Sequence, residues 1–123
     1  MIVGMGTDII EISRIQKAIT NNDRFLSRVF TENEIRYAVT QDKIRFRSLA
    51  GMWAAKEAYA KATGKGFREF AMKDVEVLHD QFSAPYLKLH RQALIYSAEA
   101  KVHISISHSE DFAIAYCIIE RKG

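Results

Sequence analysis

The chain alternates before it coils. Residues 2–9 (IVGMGTDI) put Val3, Met5, Thr7 and Ile9 on one face and Ile2, Gly4, Gly6 and Asp8 on the other, the period of a β-strand. Gly4 and Gly6 leave the second face nearly bare, so another backbone or a ligand can approach it closely. Residues 11–20 switch to helical spacing, with Ile12, Ile15 and Ile19 on one side. After the break at Asn21, Asn22 and Asp23, a second short helix runs through Phe30. Thr31 and Glu34 then form a capping box, with Phe30 and Ile35 placed as a hydrophobic staple. A long helix is predicted over about 43–63, stopped by Gly64 as a left-handed C-terminal residue. Residues 75–78 and 86–89 read as strands around a loop holding Pro85, and 90–98 as one more helix. Residues 101–108 and 112–119 alternate around a hairpin turn at Ser109, Glu110 and Asp111. The order predicts an α+β fold, a single small domain over 1–123 with helices packed on a mostly antiparallel sheet.

Composition narrows the class. With 48% apolar and 27% charged residues at a net charge of +3, the 123-residue chain is excluded from the disordered class. A lone Cys117 excludes a disulfide scaffold. No apolar run approaches the roughly 20 residues of a membrane span, and no secretory signal is visible, so the expected location is the cytoplasm. Eighteen Lys and Arg against 15 Asp and Glu is a mild basic excess. It suits an acidic partner or a phosphate-bearing small molecule, and falls short of a nucleic-acid coat.

The long helix carries the first chemical anomaly. Advancing 100° per residue from Phe46 places Ala50, Trp53 and Glu57 on one stripe, so a carboxylate is expected in the middle of the apolar face. Lys61 follows one turn later, and an ordinary i,i+4 pair with Glu57 explains that spacing. Asp8 is the second anomaly. It ends an apolar strand on the glycine face and reads either as a helix-terminal acid or as a second carboxylate meeting Glu57. Two carboxylates at one site need a cation between them. Oxygen-only donors favour a hard ion such as Mg²⁺, which shares its shell with substrate phosphates, and Lys61 is placed to complement those phosphates.

Other candidates are weaker. His108 ends its strand, Gly64 and Gly66 form a faint phosphate-loop signal, and Cys117 reads as core. The four histidines show no zinc-ligand spacing with the cysteine. Arg14, Lys17, Arg24 and Arg28 cluster around Phe25 in the first helices, which is either a solvated face or a docking surface for an acidic protein.

Four stretches together carry a resemblance: GTDIIEISRI at 6–15, FTENE at 30–34, WAAKEAYAKATG at 53–64 and ISISHSEDFAIA at 104–115. In order and spacing the chain resembles the small 4′-phosphopantetheinyl transferases known as holo-[acyl-carrier-protein] synthases. The resemblance implies transfer of the phosphopantetheine arm from coenzyme A to a serine of apo acyl carrier protein, releasing adenosine 3′,5′-bisphosphate. It implies a homotrimer with active sites between subunits. It puts Asp8 and Glu57 on the magnesium-binding acids, Lys61 on the lysine that contacts the coenzyme A phosphates, and His108 at the nucleotide site. Gly64 falls on the loop beside that lysine, and Pro85 and Tyr86 border the adenine. Arg14, Arg24, Phe25 and Arg28 match the surface that receives the acidic carrier helix. Two positions depart from the pattern. Ile10 stands where larger relatives carry another acid, so water would fill that coordination position. Met52 stands where many members carry an arginine, which leaves Arg45, Arg47 or Lys43 to hold the 3′-phosphate. The competing readings are a non-enzymatic module that binds an acidic protein, and a nucleotide or nucleic-acid binder.

Overall fold

The computed structural model describes residues 1–122, so Gly123, the last residue of the predicted domain, lies outside the described residues. The chain opens with β1 (Ile2–Glu11), which passes directly into α1 (Ile12–Asn21). Two short helices follow, α2 (Phe25–Val29) and α3 (Glu32–Ala38). A minimal hairpin of β2 (Val39–Thr40) and β3 (Lys43–Ile44) leads into α4 (Phe46–Thr63). The remainder is β4 (Val75–His79), β5 (Pro85–Leu89), β6 (Ala100–His108) and β7 (Phe112–Arg121).

The α+β expectation holds, with antiparallel pairing throughout. β7 is the central strand of a three-stranded sheet, flanked by β1 and β6, while β4 and β5 pair separately. The Thr31 capping box forms as predicted: its hydroxyl accepts from the Glu34 amide, and Glu34 Oε1 accepts from the Thr31 amide at 2.8 Å. Gly64 ends α4 at φ 77°, which a residue with a Cβ adopts only at a cost. Among the described residues no helix is long and apolar enough to cross a membrane.

Two predicted elements change. The long helix begins at Phe46, because the segment before it turns at Gln41 and Asp42 and pairs Lys43 and Ile44 back onto Thr40 and Val39. The segment at 90–98 is a 3₁₀ turn over Arg91–Ser97 that buries only Ala93; with so little apolar surface to bury, an α-helix gains no packing there.

The core lies between α4 and the inner face of the large sheet. Ala113, Ala115, Cys117 and Ile119 of β7 meet Ala54, Ala55, Ala58 and Ala62 of the helix, all buried. These small residues let helix and sheet approach closely. β1 approaches closest: a Cβ on Gly4 would stand 2.1 Å from the Ala62 carbonyl oxygen, and one on Gly6 would stand 2.0 Å from that of Ala58. Of the two partners the bare glycine face admits, the one present is a backbone. α4 is thereby covered on almost every side. Of the predicted stripe only Ala50 is fully buried; Phe46, Trp53 and Glu57, with Lys61 one turn on, form the helix's most open face, where the 100° count predicts its most buried one.

Candidate active site

Asp8 and Glu57 are brought together by the contact of β1 with α4. Alternation along β1 aims Asp8 inward with Gly4 and Gly6, and the glycines set the strand against the helix turns that carry Glu57 and Lys61. Asp8 does not cap α1, whose N-cap is Glu11 without a side-chain bond. Lys61 Nζ donates to Asp8 Oδ1 at 3.2 Å and to the Thr7 carbonyl at 3.0 Å. Its ion-pair partner is therefore Asp8, not the i,i+4 neighbour Glu57.

The two acids share an electrostatic predicament. Burial pushes the Asp8 carboxyl above the usual carboxylate range, and the ammonium of Lys61 offsets this only in part. Glu57 is raised by burial and then by the negative charge of Asp8, again with Lys61 opposing. Lys61 is half in solvent, so its compensation is screened. Two hard oxygen donors with too little positive charge between them suit a divalent ion with a partly water-filled shell. Among the described residues no cluster of three or more acids, histidines or cysteines that could hold a metal forms, so the pair has no third side chain of these types beside it.

A second group assembles near the N-terminal half of α4. His108 and Pro85 line a pocket of about 160 Å³ together with Met52, Gly51, Ser48, Tyr37 and His79. His108 Nε2 lies 3.0 Å from the Arg47 carbonyl oxygen and also meets Gly51, where a Cβ would stand 2.8 Å from it. Burial lowers the His108 pKa below the ordinary imidazole value. Of the three cations considered in place of the arginine missing at Met52, Arg45 is bound to the wall of this pocket. It donates to the Tyr37 carbonyl and its guanidinium lies 4.8 Å from the Tyr37 ring centroid. A wider depression of about 890 Å³ lies at the other end of the sheet beside Met1, Glu99 and Arg121, and holds none of the predicted residues.

The two groups remain apart within one chain. Asp8 pairs with Ala115 and His108 with Ala113, so they sit on strands either side of β7 and two residues apart along it, which puts their Cα atoms about 12 Å apart. Arg14, Arg24 and Arg28 are exposed on the first helices, and Phe25 is half-buried. Phe25 stacks on Trp53 with centroids 5.8 Å apart, and both rings are half-buried at the margin of the core.

Sequence reasoning missed Tyr37 and His79, whose rings stack face to face at 3.8 Å as one wall of the pocket. Only the packing of α3 against β4 brings them together, and neither residue lies in a motif. It also missed Lys56, fully buried and paired with Glu34 at 2.8 Å. A lysine amid helical charges reads as solvated, and nothing in the linear pattern marks it otherwise.

The sequence model of the 4′-phosphopantetheinyl transferase superfamily matches residues 4–117. The holo-[acyl-carrier-protein] synthase of Clostridium tetani is 51% identical over 98% of this chain and 97% of its own length. That of Clostridium beijerinckii is 46% identical over 98% of both. A crystal structure of the Bacillus anthracis holo-(acyl-carrier-protein) synthase, in complex with CoA (3′,5′-ADP), superposes with a TM-score of 0.83 at 42% identity over 99% of each chain. The Helicobacter pylori enzyme in complex with coenzyme A gives 0.82 at 32% identity, covering 94% of this chain and 99% of that one. On this agreement of sequence, fold and paired acids, the chain belongs to the 4′-phosphopantetheinyl transferase superfamily, in its holo-[acyl-carrier-protein] synthase branch.

Proposed function

We propose that this protein transfers the 4′-phosphopantetheine arm of coenzyme A to a serine of apo acyl carrier protein, with adenosine 3′,5′-bisphosphate as the other product. The observation that carries the reading is the convergence of Asp8 and Glu57 beneath Lys61, in a chain whose relatives are named for this reaction.

The residues divide the work. Asp8 and Glu57 are the acids that would hold Mg²⁺, and the raised pKa of each fits a site built to be neutralised from outside. When bound, the ion would supply charge neutralisation on the pyrophosphate oxygens. Glu57, half-buried beside Asp8, would accept the proton that the attacking serine hydroxyl must lose. Lys61 is exposed enough to leave Asp8 and present its ammonium to the departing phosphate, beside Gly64 at the helix end. His108, Pro85 and Arg45 would take the nucleotide end. Arg14, Arg24, Phe25 and Arg28 would receive the acidic carrier helix and bring its serine in line, which is where positioning enters the rate.

The reading includes a cytoplasmic homotrimer with active sites shared between subunits. The outer face of the large sheet supports assembly: Met5, Ile9 and Tyr116 are 67%, 61% and 53% exposed, beside Val3 and Phe112. Such a face on a small domain calls for a cover. The separation of the acid group from the nucleotide group supports shared sites, since a neighbouring copy can bring one chain's acids to another's pocket.

The test is direct. The protein is incubated with coenzyme A, Mg²⁺ and apo carrier protein, and the carrier is weighed by mass spectrometry. The added arm is expected only when all components are present. An unmodified carrier at high enzyme concentration would leave the protein-binding module as the better account.

A further inference from the structure

The buried pair of Glu34 and Lys56 has more partners than a stabilising contact requires. Lys56 Nζ donates to Glu34 Oε1 at 2.8 Å, to the Met72 carbonyl at 2.9 Å and to the Val75 carbonyl at 2.7 Å. All three of its protons are used, and its side chain has no exposure. Glu34 accepts in turn from the Thr31 amide and, through Oε2, from the Val77 amide, both at 2.8 Å. One ion pair thus ties the middle of α4 to the start of α3, to β4 and to the turn before it.

Stability alone does not account for such a device. Removing two ions from water costs much of what their attraction returns, and apolar residues of similar volume commonly replace a buried pair without loss. What the pair supplies is direction. Lys56 immediately precedes Glu57, and their side chains leave the helix 100° apart. On one side α4 is held against β1 at Gly4 and Gly6; on another it is held by Lys56. A rotation of about 10° carries a group 6 Å from the helix axis through about 1 Å, and displacements of that size cost orders of magnitude in rate.

We infer that Lys56, anchored by Glu34, is a positioning residue that sets the rotation of α4 and so aims Glu57 at Asp8. The inference rests on the catalytic reading of Glu57 given above.

The test replaces both members of the pair at once with Glu34→Gln/Lys56→Met, so that neither is left buried opposite an empty partner. The folded double variant is expected to lose about tenfold or more in kcat while KM for coenzyme A stays within about twofold. Mn²⁺ alone, followed by electron paramagnetic resonance, is expected to bind at least about fivefold more weakly, although neither residue touches the ion. The emission of Trp53, the only tryptophan, is expected to shift because it rides on the same turns of α4 and stacks on Phe25. Wild-type kcat and wild-type Mn²⁺ affinity in the folded double variant would overturn the assignment. If that variant does not fold, Glu34→Asp keeps both charges and shortens the anchor by one methylene. The same split is expected in it, and wild-type values would overturn the assignment equally. A wild-type protein that transfers nothing would defeat the catalytic reading instead, with the Mn²⁺ and emission comparisons still deciding whether Lys56 aims the helix.

Discussion

Lys61 forms its ion pair with Asp8, at 3.2 Å across the contact of helix and strand, and not with Glu57 one turn behind it. The choice leaves Glu57 half-buried beside a second carboxylate, with its own pKa raised. A resting site in which one exposed ammonium serves two acids is short of positive charge, and the first predictions follow from that shortage.

Glu57→Gln is expected to stabilise the metal-free protein at neutral pH while removing transfer. A carboxyl whose folded pKa is raised contributes stability below the ordinary carboxylate range and loses it as pH rises through the folded value. Deleting the charge recovers that loss. After discounting for partial exposure, a rise in Tm of about 1–3 °C is expected at pH 7, vanishing near pH 4. Calorimetry at the two pH values checks both size and sign; a lower Tm at pH 7 would contradict the burial argument.

Asp8→Ala is expected to fold and to lose transfer by about a thousandfold or more. Wild-type protein should gain thermal stability with rising Mg²⁺, because an ion that binds only the folded state stabilises it. The variant should not. Near-wild-type turnover in Asp8→Ala would remove the acids from the mechanism.

Gly6→Ala tests the seat of the site. Its new methyl would stand 2.0 Å from the Ala58 carbonyl oxygen, a backbone atom in the largely buried helix α4. Strand and helix must part, at a cost of about 3 kcal/mol or more. Urea unfolding gives the cost, and transfer assays on whatever folds should show activity lost beyond the unfolded fraction.

Arg14→Glu/Arg28→Glu is expected to raise KM for the carrier protein by about tenfold or more and to leave KM for coenzyme A unchanged. The wild-type KM for the carrier should also climb with salt. Stopped-flow or steady-state kinetics across ionic strength separates this docking role from a merely solvated face, which predicts neither effect.

Met5→Lys/Ile9→Lys places two charges on the apolar outer face of the sheet, where both side chains are exposed in the single chain. Sedimentation is expected to show a trimer for the wild type and smaller species for the variant, with transfer falling in parallel. A variant that is monomeric and fully active would separate catalysis from assembly.

Much of the local structure was legible before any fold was considered. Alternation marked β1, β6 and β7, the Thr31 capping box marked the start of α3, and Gly64 marked the end of α4. These signals are local because the groups that satisfy them lie within four residues of one another. The acids Asp8 and Glu57 were legible for a different reason: each is a charged residue set among apolar ones. The extra helical turn drawn over 43–45 fails because a two-residue hairpin competes for those residues, and helical spacing alone does not register such a competitor.

By itself the sequence determined which residues alternate, which coil, where the helices are capped, and that a carboxylate interrupts the apolar pattern at Asp8 and at Glu57. The tertiary structure alone decided which face of α4 is open, that Lys61 serves Asp8 rather than Glu57, and that Lys56 is buried against Glu34. The physical reason is range. Backbone dihedrals and capping bonds are settled within a turn or two of chain. Burial and ion pairing depend on which distant segments pack together, and in α4 that packing comes from nearly every side, which erases the one-sided pattern by which a helix usually announces its buried face.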